Sequence, residues 1–280
     1  MKYIVVPQWY GACKKGTDAG SLRLAEIFER ECVREYTSVP ISSDVIGHDA
    51  LMPFFSIIDE VNRTLCESVH SALSSGIKVI TLGGDHSVSW GSIAGVLKYN
   101  PEVGVIYLDA HGDCNIAERS LSHHIHGMHM AYLMGAGAKE YVGRYTKNIL
   151  PFRNILYVGA RSLDPYEVEL INERGISKIS SDFINTSMSG TLEKISVFMS
   201  RFRKIHVSLD IDILDPSIAP GTGVPEPDGI SEESLYDLLD LILNRDKVDS
   251  IDFVEYNPLL DIDGRTDMAV QRLAKRLSLL

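Results

Sequence analysis

The stretch Val103-Gly104-Val105-Ile106-Tyr107-Leu108-Asp109-Ala110-His111-Gly112-Asp113 decides how this chain is read. An apolar, β-branched run from Val103 to Leu108 ends in acid, imidazole and acid at every second position. A short apolar run of this kind suits a strand buried on both faces. If the chain stays extended past Leu108, Asp109, His111 and Asp113 point to one side. The device recurs: Lys78 to Leu82 leads into Gly83-Gly84-Asp85-His86-Ser87, and Lys204 to Leu209 leads into Asp210-Ile211-Asp212. In an open parallel α/β sheet, ligands bind outside the carboxyl ends of the strands. Three strands therefore deliver four carboxylates (Asp109, Asp113, Asp210, Asp212) and two imidazoles (His86, His111) to one sheet edge.

Working outward, short apolar runs alternate with helix-period segments, with no internal repeat or long linker. This predicts a parallel sheet covered by helices on both faces. Strands are expected at Tyr3–Val6, Lys78–Leu82, Val103–Leu108, Ile155–Val158, Ser177–Ile179, Ile205–Leu209 and Ser250–Glu255, with a further early one near Thr37–Ile41. Helices are expected at Gly20–Glu35, Phe55–Ser75, Ser89–Lys98, Pro165–Arg174, Leu192–Arg201, Glu232–Asn244 and Asp267–Leu279. Ser231 ahead of Glu232 and Glu233 reads as an N-cap followed by acids that suit the helix dipole. Cys114 to Ile125 has no period, and Pro216 to Gly229 holds four prolines and three glycines. Both are expected as irregular loops over the strand ends, where a pocket is built.

The chain has 280 residues, 45% of them hydrophobic and 23% charged, enough for a substantial core in one or two domains. Its net charge of −11 argues against nucleic acid and anionic membranes as main partners. Cys13, Cys32, Cys66 and Cys114 show no CxxC spacing, so no disulfide framework is expected. The start is too short and polar-interrupted for a signal peptide, and no apolar run of about 18 residues exists to span a membrane. A cytoplasmic protein is expected.

Each acid, taken singly, also suits a helix or turn cap. Four unpaired carboxylates at one edge without cations, however, cost several kcal/mol in repulsion and desolvation. Two divalent cations there change the net charge from −11 to about −7. Hard oxygens with a minority of imidazole suit Mn²⁺, with Zn²⁺, Co²⁺ and Fe²⁺ as alternatives. Such a pair lowers the pKa of bound water toward about 7 and readies it to attack carbon or phosphorus.

These motifs, with Asp210-Ile211-Asp212-Ile213-Leu214-Asp215-Pro216 through Pro225 and Val254-Glu255-Tyr256-Asn257-Pro258, resemble the ureohydrolases, the family of arginase, agmatinase and their relatives. The resemblance spans essentially residues 1–280 and implies one domain. It implies a three-layer α/β/α fold around a parallel sheet of about eight strands, and two Mn²⁺ per chain. One metal would take His86, Asp109, Asp113 and Asp210; the other would take Asp109, His111, Asp210 and Asp212. Asp113 would also hold the activated water, His126 would shuttle a proton, and Glu255 would anchor the guanidinium. His123, His124 and His129 are read as ordinary loop histidines, and Cys114 as an inert buried thiol. A homo-oligomer, trimer or hexamer, is implied.

Asn115 and Ser122 fall where arginases face the substrate carboxylate, and Asp164 where they face the α-amine. These favour L-arginine, hydrolysed to urea and L-ornithine. Asp164 before Pro165 also suits a helix cap. Ser162 replaces a further acid, Val224 replaces a threonine, and His123-His124 replaces a small pair. Agmatine, a modified arginine, and a catalytically silent binding protein stay open as alternatives. A one-metal deacetylase-type site is disfavoured by the second set, His111 and Asp212.

Overall fold

The computed structural model describes residues 1–12, 14–31, 35–38, 51–243 and 246–277. The strands are β1 (Lys2–Val6), β2 (Glu35–Ser38), β3 (Val79–Gly83), β4 (Gly104–Leu108), β5 (Ile155–Gly159), β6 (Ser177–Ser180), β7 (Ile205–Asp210) and β8 (Val248–Val254). The helices are α1 (Thr17–Glu31), α2 (Phe55–Ser74), α3 (Ser89–Tyr99), α4 (His129–Leu133), α5 (Pro165–Arg174), α6 (Ser181–Thr186), α7 (Met188–Ser200), α8 (Glu232–Leu243) and α9 (Arg265–Leu277). The strands form one sheet in the order β2-β1-β3-β8-β7-β4-β5-β6, and every pairing is parallel.

Period two explains the layers. Ile4, Val6, Val105, Tyr107 and Val254 pack on one face with residues of α2 to α5. Tyr3, Val5, Ile106, Leu108 and Phe253 pack on the other with residues of α1 and α6 to α9. With both faces covered, β3, β4, β5 and β7 are buried throughout; β3, β4 and β5 read as largely apolar runs, whereas β7 alternates apolar residues with His206, Ser208 and Asp210. The parallel connections bring the carboxyl ends of β3, β8, β7 and β4 side by side; the proposed ligands leave from β3, β7 and β4, and Glu255 follows β8.

Several boundaries differ from the sequence reading. β8 stops at Val254, because Glu255 turns into the left-handed region at φ 63°. The early strand is Glu35–Ser38; residues 39–41 of the expected span lie outside the described residues, as do 32–34, 244 and 278–279 of the expected helix ends. Helices α4 and α6, of five and six residues, were not expected, being too short to display a period. Ser231 caps α8 as read, accepting from Ser234 N–H at 3.1 Å; at α5 the bond is made by Glu167, whose Oε2 accepts from Asp164 N–H at 2.9 Å. Cys66 and Cys114 are buried free thiols; Cys13 and Cys32 lie outside the described residues. No helix among the described residues is long and apolar enough to cross a membrane.

Candidate metal centre and active site

The extended geometry expected for Asp109 to Asp113 does not hold. Asp109 Oδ1 accepts from His111 N–H at 2.6 Å, folding the chain into a turn directly after β4. Asp113 then adopts φ 50°, a left-handed conformation that costs free energy in a non-glycine residue. The three side chains converge through this turn rather than by strand alternation. Asp210 repeats the arrangement, its Oδ1 accepting from Asp212 N–H at 2.8 Å.

Capping and metal binding are therefore not rivals here, because each aspartate has two oxygens. Asp109 and Asp210 spend Oδ1 on the turn. Their Oδ2 atoms stand 3.0 and 3.1 Å from His86 Nδ1, and Asp113 Oδ2 stands 3.0 Å from it. One ring nitrogen carries at most one hydrogen, which cannot satisfy three carboxylate oxygens. Ligand atoms about 2.1 Å from an octahedral cation lie about 3 Å apart at right angles, the spacing seen here. Asp109 Oδ2 is buried and lacks a hydrogen-bond partner. His86 Nε2 meets Ser208 Oγ at 2.8 Å, which leaves Nδ1 to face the carboxylates.

A second set stands beside the first. His111 Nδ1 lies 2.9 Å from Asp212 Oδ2 and 3.4 Å from Asp109 Oδ1, and Asp212 Oδ1 accepts from Ala110 N–H at 3.1 Å. Asp109, His111 and Asp212 form one group able to hold a cation, and His86, Asp109 and Asp210 another, with Asp109 common to both. The electrostatics agree. Burial and the charges of Asp212 and Asp113 push Asp109 up to about 6; burial, Asp212 and Asp109 drive Asp210 upward too. Burial alone would lower the His86 pKa, yet Asp109, Asp113 and Asp210 raise it well above its usual range, the sign of a surplus of negative charge around this nitrogen. The residues fit a pair of divalent metals.

Beside these sets, Glu255 Oε1 accepts from His86 N–H at 2.7 Å and lies 2.9 Å from His126 Nδ1. Burial lowers the His126 pKa, but the charge and hydrogen bond of Glu255 more than reverse this and bring it to about 9. Both residues line a cavity of about 310 Å³, together with Asn115, Ser122, Asp164 and Glu226. A volume of this order accommodates a small molecule. Asn115 Nδ2 donates to Asp164 Oδ2 at 2.7 Å, and Ser122 Oγ accepts from His124 N–H at 3.3 Å. All eleven predicted site residues thus gather around the sheet edge and this cavity.

The sequence reading missed four neighbours. Tyr107 OH donates to Asp113 Oδ2 at 2.7 Å and lies 3.0 Å from His129 Nε2. His129 Nδ1 lies 2.9 Å from the His126 carbonyl, so this histidine is buried beside the site rather than in a plain loop. Tyr107 and Ser208 each sit two residues before a ligand, so period two was the signal that could have found them. Glu167, three residues after Asp164, carried the capping-box spacing; buried, it is pushed up to about 7.

Fold and site together define a metal-dependent amidinohydrolase. The chain belongs to the arginase family, whose model matches residues 7–279. It is 33% identical over 284 residues to the arginase of Bacillus subtilis (strain 168), covering 98% of this chain and 96% of that one. To the arginase of Entamoeba histolytica it is 35% identical over 272 residues, covering 92% of this chain and 91% of that one. The crystal structure of Entamoeba histolytica arginase in complex with L-ornithine superposes with a TM-score of 0.91 at 30% identity, covering 98% of this chain and 96% of that chain.

Proposed function

We propose that this protein hydrolyses L-arginine to urea and L-ornithine at a centre of two Mn²⁺ ions. One observation carries the reading: Glu255 Oε1 is shared by His126 Nδ1 and the backbone of His86, at 2.9 and 2.7 Å. A guanidinium-facing carboxylate, a proton-bearing imidazole and a metal-facing histidine thereby form one unit at the cavity. The relatives at 33% and 35% identity are arginases, and the solved neighbour holds L-ornithine, which supports the same substrate.

One cation would be held by His86, Asp109, Asp113 and Asp210, the other by Asp109, His111, Asp210 and Asp212. When bound, such a pair lowers the pKa of water in its coordination sphere and stabilises charge that develops on the attacked group. The remaining steps belong to the chain. Glu255 Oε2 makes no hydrogen bond to a described residue and accepts from the guanidinium; a carboxylate suits that planar cation. Asp113 accepts a hydrogen bond from the attacking water. The water oxygen bonds to the guanidinium carbon, the bond from carbon to the side-chain nitrogen breaks, and that nitrogen leaves as the amine. The water oxygen ends in urea. Both water hydrogens end on the departing ammonium, one of them delivered by way of His126. Asn115 and Ser122 face the α-carboxylate, and Asp164 faces the α-ammonium.

The test is urea release after Mn²⁺ loading, with L-arginine and agmatine side by side. A site built to hydrogen-bond a group rejects a substrate lacking it, so arginine should be preferred on the order of 100-fold or more. Preference for agmatine would overturn the clamp of Asn115, Ser122 and Asp164. Urea from neither would overturn the substrate assignment.

A further inference from the structure

The two metal-facing histidines differ in what holds their outer nitrogens. His86 Nε2 meets Ser208 Oγ at 2.8 Å. His111 Nε2 is buried without a hydrogen-bond partner, and the Glu226 Oε1 carboxylate oxygen stands 3.7 Å away. That spacing is too long for a hydrogen bond but short enough for a side-chain rotation to close. Metal-ligating histidines nearly always donate their other ring N–H to a carboxylate, carbonyl or water, which fixes the tautomer and raises ligand basicity.

The backbone around Glu226 is held for such a task. Arg161 Nη2 donates to the carbonyl of Glu226 at 2.9 Å and to that of Asp212 at 2.8 Å, and Arg161 Nε donates to Pro227 O at 2.8 Å. One guanidinium thus ties the proline-rich loop to the backbone of Asp212, which itself faces His111 Nδ1. Because Arg161 uses these donors on carbonyls, it leaves the Glu226 carboxylate free to face the imidazole. Glu226 is partly exposed on the cavity wall, so its side chain has room to turn.

The geometry points to Glu226 as the positioning residue of the second metal site, accepting the His111 Nε2–H once a cation occupies Nδ1. This rests on the two-cation reading above. A cation at Nδ1 polarises the ring and strengthens Nε2–H as a donor toward a carboxylate. Glu226 touches neither reacting atoms nor metal; it acts through His111.

Calorimetric titration of the metal-stripped protein with Mn²⁺ resolves the two sites. Glu226→Ala should weaken one Mn²⁺ by about 10- to 100-fold and leave the other within about threefold. Glu226→Gln should restore part of the loss, since its carboxamide oxygen still accepts. At a Mn²⁺ concentration that saturates the wild type, the paramagnetic resonance of Glu226→Ala should change from that of a coupled pair to that of a lone ion. Two ions bound with unchanged affinities would overturn this inference alone, even if KM for arginine rose, because Glu226 would then act on substrate. Fewer than two ions on the wild type would overturn the metal-centre reading and this inference with it.

Discussion

Asp109 and Asp210 each divide their oxygens, giving Oδ1 to a backbone turn and presenting Oδ2 to His86 Nδ1. Oδ1 of each fixes the backbone, through His111 N–H at 2.6 Å and Asp212 N–H at 2.8 Å, so Oδ2 is aimed without further ordering. His126 is placed in the same way, by Glu255 on its ring and by its own N–H donating to Gly11 O at 3.1 Å. With its pKa raised to about 9, His126 holds its proton at neutral pH and loses it as the pH rises through about 9. The pair's contribution to stability has the same sign: full below about pH 6.5 and lost through about 9. We expect kcat to fall on that alkaline limb. His126→Asn should remove the limb and lower kcat by about 10²- to 10⁴-fold, with both metals retained. A pH–rate profile and metal analysis of the variant check this; unchanged kcat, or loss of both metals, contradicts it. At this scale the ligands were legible because they end apolar strands. Tyr107 was legible only through its period-two spacing from Asp109, since it otherwise looks like core within its strand; Glu226 was not, being brought to His111 by a loop whose course no local pattern encodes.

Among the elements, β7, β8 and α3 share a polar tie beneath the site. Asp252 on β8 accepts from Ser89 Oγ at 2.8 Å and Ser92 Oγ at 2.6 Å on α3, and lies 3.3 Å from His206 Nε2 on β7. All four side chains are buried. Burial favours the neutral acid, but the charge and proximity of His206 and the two serine hydroxyls hold Asp252 below its usual pKa. Its contribution to stability is therefore present above about pH 3.9 and lost as the pH falls below that value. Removing one member of a buried network leaves the others unpaired, so Asp252→Ala should cost about 3–5 kcal/mol. Denaturant unfolding measures this, and a loss under about 1 kcal/mol would contradict the tie. The strands of this region were readable from their apolar, β-branched residues, although β7 and β8 also carry His206, Ser208, Ser250 and Asp252. Their adjacency was not, since β3 and β4 follow each other in the chain yet have β8 and β7 between them. Helix α4, only five residues long, was hidden by its brevity and carries the buried His129.

On the scale of the whole molecule, the carboxyl ends of four central strands and the loops over them make one centre, which cations complete. The family match over residues 7–279 agrees with the layered fold read from alternating strands and helices. What composition leaves undetermined, the choice among guanidino substrates, lies in the loops that cover the strand ends. The net charge of −11 belongs to this picture in part, because Asp109, Asp113, Asp210 and Asp212 are gathered where only bound positive charge relieves their repulsion. The most direct test is anomalous X-ray diffraction from crystals of the protein loaded with Mn²⁺. The account predicts two peaks about 3.5–4 Å apart, one beside His86 Nδ1 and one beside His111 Nδ1, with Asp109 between them. A single peak, or two peaks away from these nitrogens, would contradict it.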